Sequence, residues 1–168
     1  MGKPHEDALA YERLVEVLSY SPETGEFYWL VRPNNRMKAG DKAGSTKDPY
    51  SIIHIDERRY MAHRLAWFYT YREWPPEYID HINGNTRDNR IANLRLASPR
   101  QNAYNWARKN RSGVRGVHWT GWQWKAQIKL PTGKMKVIGS FYDKAEAAAA
   151  YDRAAREVHG EFAVTNGD

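Results

Sequence analysis

The sequence predicts an α+β fold in two parts: a two-stranded hairpin followed by a helix near mid-chain, and a C-terminal three-stranded antiparallel sheet packed on one helix. Three observations lead there. Short alternations of apolar and polar residues are separated by turn-forming residues, as in paired strands. Two stretches, Ser98-Pro99-Arg100-Gln101 and Asp143 with Glu146, carry helix-starting chemistry. Charge is also unevenly spread, with 11 basic and 6 acidic residues after Tyr104 against 15 and 14 before it. A chain of 168 residues accommodates one ordinary domain or two small ones.

Residues 9–18 (LAYERLVEVL) have helical apolar spacing, and Pro22–Gly25 reads as a turn into a strand at Glu26–Leu30. Gly40–Thr46 is loop-like, and Tyr50–Ile55 and Arg58–Ala62 read as strands paired around Asp56-Glu57. Residues 63–74 (HRLAWFYTYREW) form an aromatic helix stopped by Pro75-Pro76, because proline lacks the amide hydrogen a helix needs. Tyr78–Ile82 is a short strand, NGNTRDN a polar loop and Asn93–Leu96 the returning strand. Ser98 can then cap a helix, Pro99 suits its first position and Gln101 completes a capping box, which puts Asn102 in the first turn. After a basic connector, Asn105–Arg111, strands follow at Val114–Trp119, Trp124–Lys129 and Lys136–Phe141. An alanine-rich helix, Asp143–His159, ends at Gly160 and buries Tyr151 and Ala155.

Composition narrows the chemistry. A net charge of +6 and a pI near 9.5 suit an acidic partner, and from Asn105 to Lys136 no Asp or Glu interrupts the basic residues. The absence of cysteine excludes disulfides, thiolate catalysis and Cys-ligated zinc, so any metal is held by His, carboxylate or amide oxygen. There is no apolar run of membrane-spanning length and no secretion-signal core at the N-terminus, so the expected compartment is the cytoplasm.

Candidate chemistry sits in the hairpin and its helix. Asp80 and His81 are adjacent on the first strand, so a regular strand sends them to opposite faces unless it bends or bulges. Both can serve one centre if His81 acts on a water while Asp80 reaches a metal from the other side. A hard divalent cation prefers oxygen donors, which the Asp80 carboxylate and the Asn102 amide supply. A neutral imidazole can take a proton from water near neutral pH. His63, at the head of the aromatic helix, reads as a buried, hydrogen-bonded histidine rather than a ligand, and His54 as structural or exposed.

The run D-H-I-N-G-N-x-x-D-N-R-x-x-N-L-R…S-x-x-x-N, from Asp80 to Asn102, resembles the HNH endonuclease family. The upstream pieces S-P-E-T-G-x-F-x-W, K-A-G-D-K-A-G-S and A-H-R-L-A-W are similar to its phage-borne homing branch. The resemblance implies a ββα-metal (His-Me finger) motif at about 77–104 within an HNH nuclease domain at 1–104. It implies His81 as general base, Asp80 and Asn102 as metal ligands, and Asn93 as a catalytic-motif residue that braces the hairpin loop. Many members have His at the third position; Asn102 leaves oxygen ligands only and favours Mg2+ or Mn2+ over zinc. The products implied are a 5′-phosphate and a 3′-hydroxyl.

The C-terminal strands alternate basic and aromatic residues: Arg115, His118, Trp119, Trp122, Trp124, Lys125, Gln127, Lys129, Lys134 and Lys136. Residues two apart share a strand face, so Lys125, Gln127 and Lys129 point together, opposite Trp124, Ala126 and Ile128. Such a polar face can lie in a DNA groove, with Arg108, Lys109 and Arg111 of the connector following the backbone. Trp124 is as consistent with anchoring the core as with base stacking; Trp119 and Trp122, beside a turn, are the better candidates for exposure. The pattern R-G-V-x-W…W-x-A-Q-I…G-S-F-x-x-x-x-E-A-A-x-A-Y-D over 112–168 resembles the Apetala-type domain of ethylene-response factors (ERF). That family reads the major groove with its sheet, and Arg115, His118, Trp124, Gln127 and Lys129 fall on its contact positions. His118 and Lys129 replace arginines, so base preference does not transfer.

Together these readings predict a homing-type endonuclease with a nuclease domain (1–104), a basic linker (105–111) and an Apetala/ERF-type DNA-binding domain (112–168). The partner expected is duplex DNA bound as a monomer, which would nick one strand, with no membrane and no small-molecule substrate. If phage-encoded, it would work in the host bacterial cytoplasm. The alternative is a sequence-specific DNA-binding regulator whose nuclease domain is inactive.

Overall fold

Backbone polar groups must be paired somewhere, and among the described residues the pairing is distributed over four small antiparallel sheets. The computed structural model describes residues 6–45, 49–99, 101 and 112–167, and it divides into two compact units, Met1–Pro99 and Arg100–Asp168.

In the first unit a 3-10 turn, Glu6–Ala8, leads into helix α1 (Tyr11–Val17). The helix ends sooner than the apolar spacing over 9–18 suggests, because Leu18 opens strand β1 (Leu18–Ser21). There Leu18 and Tyr20 point inward while Ser19 and Ser21 alternate with them, a strand period hidden behind the helical one. β1 pairs with β2 (Glu26–Trp29) through the turn closed by Gly25, which takes φ +73. A third short strand, β3 (Lys42–Ala43), lies within the stretch expected to be a loop, where Ala43 pairs with Phe27 and is buried beside it.

Strands β4 (Ile52–Ile55) and β5 (Arg58–Met61) form a hairpin whose Asp56 and Glu57 both adopt positive φ, 47° and 65°. Two consecutive left-handed residues match the twist of a tight hairpin. Helix α2 (Ala62–Tyr71) follows without a break. It stops three residues short of the expected Trp74, with Arg72 left-handed at φ 60. Leaving the helix lets Trp74 fold back and stack on Phe68, ring centroids 4.3 Å apart, and on Tyr60, 6.0 Å apart. Strands β6 (Tyr78–His81) and β7 (Leu94–Ala97) make the last sheet of this unit, with the 3-10 turn Ile91–Asn93 leading into β7. Leu14, Leu18, Phe27, Ile53 and Leu65 are at the centre of the core. A buried ion pair ties the N-terminal turn to it: Arg64 donates to Glu6 at 2.5 and 2.7 Å and to the carbonyls of Pro75 and Glu77 at 3.0 and 2.9 Å.

Pro99 and Gln101 are helical, while Asn102 and the connector residues Arg108, Lys109 and Arg111 lie outside the described residues. In the second unit β8 (Val117–Trp119), β9 (Trp124–Lys129) and β10 (Met135–Phe141) form an antiparallel sheet in the order β10-β9-β8. β8 begins later than Val114 because Gly113 and Gly116, at φ 71 and 68, turn the chain first. Helix α3 (Lys144–His159) is capped by the Asp143 side chain, which accepts from the Glu146 amide at 2.9 Å. Val117, Ala126 and Ile128 pack on Ala147, Tyr151 and Ala155. Gly116 is required by that packing, since a Cβ there would sit 2.0 Å from the Tyr151 ring.

Candidate active site

The β6–β7 hairpin places Asp80 directly opposite Arg95 and His81 opposite Leu94. Asp80, His81, Asn89 and Asn93 are all buried, at 3, 4, 3 and 7 % exposure. The Arg95 guanidinium donates to Asp80 Oδ2 from Nε at 3.0 Å and Nη2 at 2.8 Å, so the buried carboxylate has a cationic partner. A hairpin register read from the sequence could have found Arg95; it was not singled out.

His81 Nε2 lies 3.2 Å from Asn89 Oδ1. The ring is also flanked by His63, centroids 5.2 Å apart and nearly perpendicular, and by Tyr50 at 6.2 Å. Burial pushes the imidazole below its ordinary basicity, opposed by the Asn89 hydrogen bond and by the charges of Asp80 and Asp88. Burial therefore favours the neutral ring, the form that accepts a proton.

Asn93 is held within the loop that joins the strands. Its Oδ1 accepts from the Asn83 amide at 3.0 Å, and its Nδ2 donates to Asn83 Oδ1 at 3.0 Å and to the Asp88 carbonyl at 2.8 Å. Asn83 in turn donates to Asp88 Oδ2 at 2.7 Å. The Arg90 guanidinium, hydrogen-bonded to Asp88, is the main reason that carboxyl is lowered to about 2. The loop leans on the N-terminal sheet: the Tyr20 hydroxyl donates to the Asn89 carbonyl at 2.7 Å, and a Cβ on Gly25 would lie 2.4 Å from the Arg90 amide nitrogen. Asn89 carried no periodic signal in the sequence, only its place in an Asp-Asn-Arg run. His63 is buried and His54 exposed.

The donor chemistry fits a hard cation: a buried carboxylate oxygen beside an imidazole, with no cysteine thiolate in the chain. Among the described residues no group of three or more His, Cys, Asp or Glu is placed to hold a metal, so Asp80 would need amide or water oxygens as co-ligands.

In the second unit, cross-strand register sorts the basic and aromatic residues. His118 pairs with Lys125, and Gln127 and Lys129 follow along the same face of β9, with exposed Val137 and Met135 opposite them on β10. Trp119 and Trp124 pair at the helix-facing end, ring centroids 5.1 Å apart; Trp124 is half-buried against the core and lies under Lys144. Trp119 and Trp122 are exposed. Lys136 stands opposite Ile128, outside the row of Lys125, Gln127 and Lys129, and Lys134 lies in the turn. Arg115 is half-buried, and its amide donates to Asn166 Oδ1 at 2.7 Å.

The class to which this hairpin belongs is the DNA-cleaving nucleases: the family described as HNH endonuclease matches residues 60–104, from the last residues of β5 through β7 to Tyr104. Over 90 residues the chain is 38 % identical to Protein 3.8 of Escherichia phage T7, covering 51 % of this chain and 73 % of that protein. It is also 37 % identical over 90 residues to the Uncharacterized HNH endonuclease L560 of Acanthamoeba polyphaga mimivirus, covering 53 % of this chain and 46 % of that one. The chain belongs to the HNH endonuclease family, and its substrate is DNA. No helix among the described residues is long and apolar enough to cross a membrane.

Proposed function

We propose that this chain is a site-preferring, divalent-metal-dependent endonuclease of the homing type that nicks one strand of duplex DNA per monomer. The observation that carries the reading is the placement of His81: a buried imidazole adjacent to a buried carboxylate, within the span that matches the family. His81 takes a proton from a water molecule, whose oxygen attacks the phosphodiester; the bond to the 3′ oxygen breaks and that oxygen takes a proton from solvent water, leaving a 5′-phosphate and a 3′-hydroxyl. Asp80 and Asn102 would hold Mg2+ or Mn2+, which when bound supplies positive charge to the phosphate and the departing oxygen. Asn93 keeps the loop, and through it the strand carrying His81, in one shape.

The second unit would serve as an Apetala/ERF-type reader. His118, Lys125, Gln127 and Lys129 share one face of its sheet, a row of donors suited to base edges and phosphates, with Val137 and Met135 beside them for thymine methyl groups. Arg115, Trp119, Trp122, Trp124, Lys134 and Lys136 would flank that row, and Arg108, Lys109 and Arg111 would follow the DNA backbone.

The test is nicking of supercoiled plasmid with Mg2+ or Mn2+. The expected results are cutting that EDTA abolishes, ends carrying 5′-phosphate, and a His81→Ala variant that binds DNA but does not cut. Undiminished cutting by His81→Ala, or full activity in chelator, would overturn the mechanism.

A further inference from the structure

We propose that Asn89 is a positioning residue for His81, its carboxamide oxygen accepting from Nε2 and so fixing the imidazole tautomer that leaves Nδ1 unprotonated. The inference rests on the reading of His81 as the base. A carboxamide oxygen has no proton to give, so at 3.2 Å the shared hydrogen belongs to Nε2. In a neutral ring the lone pair able to accept a proton is then on the other nitrogen.

Three features make Asn89 a rigid partner. Its side chain is buried at 3 % exposure, so water does not compete for the hydrogen bond. Its backbone carbonyl is held by the Tyr20 hydroxyl at 2.7 Å. The turn at Gly25 closes against its main chain, where a Cβ would approach the Asn89 carbonyl carbon to 2.5 Å and its nitrogen to 2.9 Å. The imidazole is confined as well, with His63 edge-on and Tyr50 tilted beside it. A ring flip would exchange Nδ1 with Cδ2 and Nε2 with Cε1, so the contact between Nε2 and Asn89 selects one orientation. Two protein groups are thereby given separate tasks: Asn89 sets which nitrogen carries the proton, and His81 uses the other.

Nitrogen-15 NMR of the full chain with labelled histidine, in mildly alkaline buffer, reads the tautomer directly; loss of a signal in His81→Gln assigns it. The unaltered chain is expected to show the Nε2–H form. Asn89→Asp, which keeps an acceptor oxygen, should retain it, whereas Asn89→Leu should give a mixture of tautomers. Nicking kcat should fall by about 10- to 100-fold in Asn89→Leu with KM unchanged, and recover in Asn89→Asp. An Nδ1–H form in the unaltered chain, or the same tautomer and kcat in Asn89→Leu, would overturn the proposal. The measurement on the unaltered chain stands even if Asn89→Leu does not fold. Failure of the general-base reading shows separately, as cutting that survives His81→Ala while the tautomer follows Asn89.

Discussion

Asp80 and Arg95 face each other across the hairpin, and the guanidinium delivers two hydrogen bonds, of 2.8 and 3.0 Å, to a single carboxylate oxygen. Both side chains are largely buried, so the pair is neither screened by solvent nor cheaply broken. Arg95→Met would leave the carboxylate buried without its cation. The expected loss is about 3–5 kcal/mol in urea unfolding, with most of it recovered in the Asp80→Asn, Arg95→Met double variant. A loss below ~1 kcal/mol would mean the pair behaves like a surface ion pair.

Acid should act on the hairpin loop through Asp88. Its folded value of about 2 lies below the ordinary 3.8, chiefly through the Arg90 hydrogen bond. A depressed carboxyl contributes its full stabilisation above 3.8 and loses it as pH falls towards about 2. Stability measured against pH should therefore slope downward through that window, and Asp88→Asn should flatten the slope. An identical acid profile for the variant would remove Asp88 from this role.

Gly116→Ala should destabilise the second unit. The residue sits at φ 68, and an added Cβ meets the Tyr151 ring at 2.0 Å. Left-handed strain and overpacking together suggest about 2–4 kcal/mol. The loss should be visible as a lower thermal midpoint for this unit.

If the β9 row reads duplex DNA, replacing Lys125 and Lys129 with alanine should weaken binding and flatten its salt dependence. Each lost phosphate contact removes roughly 0.9 from the slope of log K against log salt. Fluorescence anisotropy over a salt series would measure it, and an unchanged slope would move the DNA contact elsewhere.

What could be read from the sequence was whatever depended on neighbours along the chain. The β4–β5 hairpin was legible because Asp56-Glu57 separates two alternating runs, and α3 because Asp143, Glu146 and Gly160 punctuate it. Asp80 and His81 are legible as a carboxylate and an imidazole side by side on a strand, and Asn93 through the resemblance of the whole run to the HNH pattern. β1 was missed because Leu14, Val17 and Leu18 satisfy a helical period until pairing with β2 takes over at Leu18. Asn89 and Arg95 were missed for a related reason. One acquires its meaning from burial under Tyr20, the other from a partner fifteen residues away, and neither relation leaves a periodic trace.

The hydrogen bond from Tyr20 to the main chain at Asn89 has a consequence for how small this catalytic apparatus can be made. The segment from 60 to 104 carries the family match, yet the loop residue that contacts the histidine is braced by Tyr20 of β1, which precedes that segment by forty residues. Excised alone, that segment would keep its reactive side chains and lose the buttress that keeps them still. Any miniaturised or transplanted version would have to carry the first sheet along or build a substitute for it.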